Sequence, residues 1–358
     1  MQVLRKHRKD AEINPTYMKK RFPLIVKITL VSLYIIFLAG SVVRMTGSGM
    51  GCPDWPKCFG YLIPPSSGEQ ITWQPNKNYK EGMIIIKDEA LYVAEKEVKT
   101  ATEFNLKNWS IYTKHDYAKF NKFHTWTEYI NRLTTVLSGF IFLFLIAGAW
   151  KFRKENKTIP ILAFTAFFFM LVESVLGKVV IDTNLKPTMI TIHMVLGLVI
   201  VGLILKLLFI VTEKKITYQY HSVFNKLLII SILFSLIQIA LGTQVRQFID
   251  EQVKLFGFEN KEYSLMNPNF GFYFHRSFTI AIILVNLGMF YLNQIKGLGY
   301  KLVNWILILL LLETVSGILM FYADFPIGTQ AVHLLSGALL FGVQFYLWLQ
   351  SKKITEQN

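Results

Sequence analysis

Charge is scarce in this chain. Asp, Glu, Lys and Arg make up 17% of its 358 residues, against 53% hydrophobic residues. A soluble domain of this size carries more charge. Cysteine is scarcer still: Cys52 and Cys58 lie close together in one segment, too few for a disulfide-built scaffold. A cleavable leader is not evident either. The first 21 residues are polar and basic ("LRKHRKD", "MKKR"), and the apolar run after them is long enough to be a span. Few-domain soluble folds are thereby excluded. The net charge of +15 invites a nucleic-acid reading, but the basic residues sit in short loops beside apolar runs, which is how membrane topology is set.

What the chain does have is apolar runs near the ~20 residues that cross a bilayer. Eight are expected, at about 23–45, 126–150, 159–181, 188–212, 224–245, 273–294, 301–323 and 327–350. Backbone polar groups in lipid must be paired within the segment, so these are helices, and the membrane part is all-α. With the basic N-terminus inside, "KFRKENK", "TEKKITYQYHSVFNK", "NQIKGLGYK" and the C-terminal "SKK" also fall inside. Both termini are then cytoplasmic. The tails are 1–22 and 351–358, and 213–223 is a cytoplasmic linker. The long segment 46–125 lies outside. Within it, "MIIIKDEALYVAEKEVKTATEF" is expected to form a strand and a short helix of a soluble cap. His7, His115 and His221 read as loop residues.

The most informative feature is an internal repeat. "GSVVR" (Gly40 to Arg44) recurs as "GTQVR" (Gly242 to Arg246), and "ESVLG" (Glu173 to Gly177) as "ETVSG" (Glu313 to Gly317). "ITIHMVLG" with His193 matches "TQAVHLLSG" with His333. "EYINR" matches "FYFHR", so Asn131 aligns with His275 and Arg132 with Arg276. The expectation is two tandem four-helix bundles of one orientation, 23–212 and 224–350.

All four helices that carry Asn131, His193, His275 and His333 run from outside to inside in this topology. At ~1.5 Å per residue the four positions lie on the order of 5–10 Å into the outer leaflet. Two facing histidines in a four-helix bundle are what a bis-His haem needs, so His275 and His333 are the expected ligands of a haem iron. Two imidazoles are fewer ligands than a zinc site usually has. Haem propionates are anionic, and Arg276, Arg246 and Arg44 at the same outer ends suit them through the planar guanidinium fork. The plain alternative is interfacial arginines that snorkel.

The first bundle differs. His193 keeps its place, but opposite it stands Asn131, a poor iron ligand. His193 would bind a haem iron whose other side is open, as in sites that act on a substrate. Glu128 lies one turn before Asn131 and Arg132. An ionisable group in the membrane is a functional hypothesis by default; a structural Glu128–Arg132 ion pair is the alternative. His124 is two turns before Asn131, ~10.5 Å away, and reaches the same iron only if the haem moves outward. Glu173 and Glu313 could relay protons or bond a neighbouring helix. Cys52 and Cys58 lie in an oxidising location, where a disulfide is plausible. Spacing alone does not separate a structural pair from a redox-active one.

Together these residues resemble the haem A synthase family. The "RMTGSGMGCPDWPKCFG" loop, "EYINR" and the histidines heading the fourth, sixth and eighth spans carry the resemblance. It implies oxidation of a methyl group of haem O to the formyl group of haem A, for cytochrome oxidase assembly in a bacterial inner membrane. It implies a haem b between His275 and His333, and a substrate haem in the first bundle. Glu128 with Arg132 would be catalytic, and Cys52 with Cys58 the family's cysteine pair. Expected partners are haem O and haem A, membrane lipid, a haem O synthase and cytochrome oxidase assembly factors, with a homo-oligomer left open and no nucleic acid. Asn131 departs from the family's Glu-x-x-His-Arg. The rivals are a b-type cytochrome that only moves electrons and a haem transporter or chaperone.

Overall fold

The computed structural model describes residues 15–113, 120–183, 186–212, 218–257 and 265–355. His7, His115, residues 1–14 and 356–358 of the two tails, and 213–217 of the linker lie outside the described residues. Eight helices have the length and apolar composition of membrane spans: α1 (Pro15–Met45), α2 (Lys122–Ala149), α3 (Thr158–Asp182), α4 (Pro187–Val211), α5 (Ser222–Phe256), α6 (Phe270–Ile295), α7 (Leu302–Tyr322) and α8 (Thr329–Thr355). The protein is a multi-pass membrane protein.

Local chemistry sets the helix starts. Asn121 accepts the N–H groups of Phe123 and His124 at the head of α2, and Asn269 accepts that of Phe272 at the head of α6. Both satisfy donors that no helical carbonyl can reach. Pro187 opens α4, where its missing N–H costs nothing. One boundary differs from expectation. α5 does not stop near 245 but runs on to Phe256, because "QFIDEQVKLF" continues the helical register beyond the apolar run.

Two buried apolar clusters hold the helices. One draws on α1 to α4, with Phe22, Phe142, Ala163 and Ile204 wholly buried. The other draws on α5 to α8, with Phe224, Met289, Val303 and Leu347. Leu198, Ala338 and Phe341 join the two across α4 and α8. Most of the remaining large apolar side chains are exposed, from Leu24 on α1 to Val332 on α8. On a membrane helix that exposure is the lipid face.

Among its described residues the segment between α1 and α2 has only short 3-10 turns and strands, so the all-α expectation holds for the membrane part alone. Five short strands, β1 (Asn78–Tyr79), β2 (Ile84–Lys87), β3 (Ala90–Ala94), β4 (Val98–Lys99) and β5 (Trp109–Ile111), form a β1–β4 pair and a β2–β3–β5 sheet. The expected short helix is instead a hairpin. Lys87 pairs with Ala90, and the two residues between them, Asp88 and Glu89, both have positive φ, 49° and 59°. That is the two-residue turn whose twist suits a hairpin. It is built here without the glycine that would have announced it. Tyr79 on β1 and Trp109 on β5 pack edge to face, 5.3 Å apart, in a buried cluster with Ile85 and Ala94.

Candidate functional site

His275 on α6 and His333 on α8 face one another with ring centroids 6.4 Å apart, inclined at 69°. Both line a cavity of about 710 Å³. A glycine on α5 makes the room: a Cβ at Gly242 would come within 3.2 Å of the His275 ring. His333 is held by its Nδ1, which lies 3.1 Å from the Glu313 carbonyl, 3.0 Å from Ser316 Oγ and 3.2 Å from the Glu313 carboxylate. Such an outer partner fixes the tautomer of a metal-binding histidine and leaves Nε2 for the ion. Ser336 donates to the other Glu313 oxygen. On the opposite wall Gln238 donates to the His275 carbonyl at 3.0 Å and to Thr279 Oγ1 at 2.8 Å.

This donor set fits a haem and not a bare ion. Imidazole–metal bonds of about 2 Å put the centres of two rings sharing one ion ~6 Å apart, close to the observed 6.4 Å. Among the described residues no group of three or more His, Cys, Asp or Glu side chains could hold a metal. Two imidazoles therefore suit a metal whose remaining ligands come from its own macrocycle.

The rim is cationic, and Asp250 organises it. Arg246 lies 2.7 Å from Asp250 Oδ1, and Arg44, from the end of α1, lies 3.4 Å from Asp250 Oδ2. Arg246 also donates to the Arg44 carbonyl at 3.2 Å and to Gln330 Oε1 at 2.5 Å. Arg276 is exposed and sits over the Phe321 ring at 5.6 Å. All three expected arginines line the cavity. Asp250 and Gln330 escape the sequence reading. Asp250 stands four residues after Arg246, one turn on, but beyond the expected end of the helix.

The first four helices repeat part of this geometry. His193 Nδ1 lies 3.0 Å from Glu173 Oε1, as His333 does from Glu313. Gly177 and Gly317 approach the two histidine rings equally, a Cβ at either lying 3.7 Å from Cε1. The hydroxyls differ: Ser316 and Ser336 align with Leu176 and Leu196, and Glu173 Oε2 is buried without a partner. Asn131 lies beside Gly40, where a Cβ would be 3.9 Å from its Oδ1. His124 turns away to the Gly47 carbonyl, 3.2 Å from its Nδ1.

Glu128 and Arg132 do not line the large cavity. They grip the loop after α1. Glu128, 2% exposed, accepts the Cys52 N–H at 2.9 Å on one carboxylate oxygen and Arg132 on the other. Arg132 also donates to the carbonyls of Asp54 at 2.8 Å and Lys57 at 2.9 Å. Thr125 donates to the Gly51 carbonyl at 2.8 Å. Gly51 is obligatory there, since a Cβ would lie 2.4 Å from the His124 carbonyl oxygen. Cys52 and Cys58 form a disulfide. Burial pushes the Asp54 carboxyl above its usual range, against the Gly60 and Phe59 N–H groups and Arg132.

A family model described as a cytochrome oxidase assembly protein, COX15-CtaA, matches residues 24–106 and 72–345. The haem A synthase of Shewanella oneidensis is 22% identical over 365 residues, covering 91% of this chain and 97% of that protein. The haem A synthase of Listeria welshimeri is 20% identical over 349 residues, covering 94% and 97%. That of Alkalihalophilus pseudofirmus is 20% identical, covering 92% and 97%.

Proposed function

The chain belongs to the COX15-CtaA family of cytochrome oxidase assembly proteins, and from that premise we propose that it is a haem A synthase, a membrane oxidoreductase that converts haem O to haem A. The reaction takes a ring methyl to a formyl group, a four-electron oxidation. Two successive hydroxylations give a gem-diol, which loses water.

The observation that carries the reading is the asymmetry of two otherwise matched histidine sites. In α5 to α8, His275 and His333 offer two opposed imidazoles, and Gly242 leaves them space. These residues would hold a haem b as a resident cofactor, with Arg276, Arg246 and Arg44 facing its propionates. A haem closed on both sides supplies electron transfer. In α1 to α4, His193 has its Glu173 support but Asn131 in place of a second imidazole. One open side suits a substrate haem. The matched glycines and glutamates support descent of the two halves from one four-helix unit. The basic loops support cytoplasmic termini, with the cap on the outer face.

Glu128 and Arg132 serve this site by position. With both carboxylate oxygens engaged, Glu128 holds the Cys52–Cys58 loop against the outer end of α2. The loop then covers the open half and keeps water from the reacting methyl. The protein that delivers haem O would be a haem O synthase.

The test is expression in cells that make haem O but have no other haem A synthase, followed by haem extraction and mass analysis. Haem A is expected. Haem O alone, with the protein folded and in the membrane, overturns the assignment and leaves the electron-carrier or transporter reading.

A further inference from the structure

The His275–His333 cavity has a mouth, and the exposure of its lining residues places it. Among the described residues that line the cavity, five are exposed: Arg276, Ser277 and Ile280 on α6, and Ile318 and Tyr322 on α7. Ile280 is 61% exposed, Ile318 51% and Tyr322 69%. The lining residues from α1, α4, α5 and α8 are all buried or half-buried. The cavity therefore reaches the surface along the seam between α6 and α7. At the head of the seam the two helices touch through Phe272, stacked on Phe321 at 5.3 Å, with Arg276 over the same ring. Ile280 lies five residues, or ~7.5 Å, further along α6 than His275. The opening thus extends down an apolar helix face, where acyl chains and not water are the solvent.

The matching seam of the first half is stoppered. In the alignment that pairs Asn131 with His275 and Gly177 with Gly317, Arg132 stands at Arg276, Lys178 at Ile318, Ile181 at Phe321 and Asp182 at Tyr322. The disulfide loop is seated there. Arg132 donates to the Asp54 and Lys57 carbonyls. Lys178, Ile181 and Asp182 border a small cavity with Pro53, Asp54 and Trp55 of the loop. None of the described residues between α1 and α2 lines the second cavity. Arg276, with no loop to hold, lies on Phe321 instead.

Entry from the aqueous side meets a bonded rim. Arg246 on α5 joins Asp250 on its own helix, Gln330 on α8 and the Arg44 carbonyl on α1. A haem is a flat apolar ring with both carboxylates on one edge. Like other amphiphiles it can lie with its ring among acyl chains and its charges at the headgroups. We propose that haem reaches His275 and His333 sideways, from the bilayer, through the α6–α7 seam. Arg276 stands at the head of the seam, where its guanidinium exchanges a weak exposed contact with a ring for a carboxylate. The route rests on the reading of this histidine pair as a haem site.

Bulky adducts in the seam test it. The only two native cysteines are joined in a disulfide, so an introduced cysteine is the sole free thiol. Ile280→Cys and Ile318→Cys are labelled with pyrenyl maleimide in the haem-free protein, which is then placed in lipid nanodiscs. Leu284→Cys and Leu311→Cys are the controls, each on the same helices and 63% exposed but outside the cavity lining. Haem is added, and the rise of low-spin absorption is timed. Adducts at 280 and 318 should slow uptake at least about tenfold relative to the controls. Formed after haem has bound, the same adducts should leave the spectrum in place and slow haem loss to apomyoglobin by a similar factor. Equal uptake at all four positions sends haem over the rim and overturns the route. Loss of the spectrum on labelling the loaded protein means that the adduct disrupts the site, and overturns it too. Absence of uptake by the unlabelled, unsubstituted protein overturns the haem site itself, and the route falls with it. No haem conversion enters these readouts.

Discussion

Glu128 on α2 accepts the backbone N–H of Cys52, 76 residues earlier in the chain, at 2.9 Å. The bond ties the head of a membrane helix to a disulfide loop, and it separates two roles for the glutamate. A general base contributes typically 10²–10⁴-fold to rate. A clamp contributes by geometry, and an isosteric amide keeps one of its two bonds. Glu128→Gln should retain haem A formation within about tenfold, whereas Glu128→Ala should lose it. The Ala variant leaves the buried Cys52 N–H without its acceptor, at about 1–3 kcal/mol for such a group, and leaves Arg132 only the Asp54 and Lys57 carbonyls. Limited proteolysis of the loop should then separate them, with Ala cut faster than Gln. A loss of 10³-fold or more in Glu128→Gln, with the loop intact, would return the residue to acid–base chemistry.

The two halves should respond differently to loss of a histidine. His275→Ala or His333→Ala removes one of two opposed imidazoles, and a low-spin haem b spectrum should disappear. Leu should substitute for Ser316 with a milder result. It removes one of three contacts at His333 Nδ1 but leaves the Glu313 carbonyl and carboxylate. Such outer-shell changes typically cost 10–100-fold in affinity. Haem titration by absorbance measures both. Unchanged low-spin absorption in His275→Ala would move the haem elsewhere.

Asp250 supplies a second prediction about charge. It stands between Arg246 at 2.7 Å and Arg44 at 3.4 Å, all three partly exposed. Asp250→Ala leaves two neighbouring guanidiniums without their shared anion. The cost, discounted for exposure, is about 1–2 kcal/mol. An anionic ligand at the rim would restore the balance. The Tm of the variant in detergent should therefore drop in the haem-free protein and recover when haem is added. A drop that haem does not repair would mean that the arginines do not face propionates.

The sequence disclosed the membrane fold because lipid leaves few choices: long apolar runs must be helices, and all eight are present. The matched motifs likewise put His275 and His333 together before any coordinates. The remainder depended on contacts that no local pattern carries. Asp250 acts on Arg44 from 206 residues away, on a helical extension that hydropathy ends too soon. The Asp88–Glu89 turn lacks its usual glycine, so the hairpin hides behind a charged, helix-like stretch. Glu128 was legible as a buried acid paired with Arg132, but its other partner is the Cys52 backbone N–H, which any residue but proline could have supplied.

Asn131 is the point where the first half departs from the second, which has His275 there, and it offers the sharpest test of where substrate iron lies. Its side chain sits beside Gly40, as His275 sits beside Gly242. The backbone there already accommodates an imidazole in the second half: the Gly242 hydrogen, not a Cβ, faces the ring. Asn131→His should therefore fit and oppose His193 as His275 opposes His333. A second low-spin haem signal should appear when haem O or haem b is supplied. Closing the open coordination position should slow haem A formation, because the iron would then be held for electron transfer and not for reaction. The two readouts must move in opposite directions. A second low-spin signal with undiminished turnover would mean that the open side of the iron is not needed. An unchanged spectrum would place the substrate iron away from residue 131.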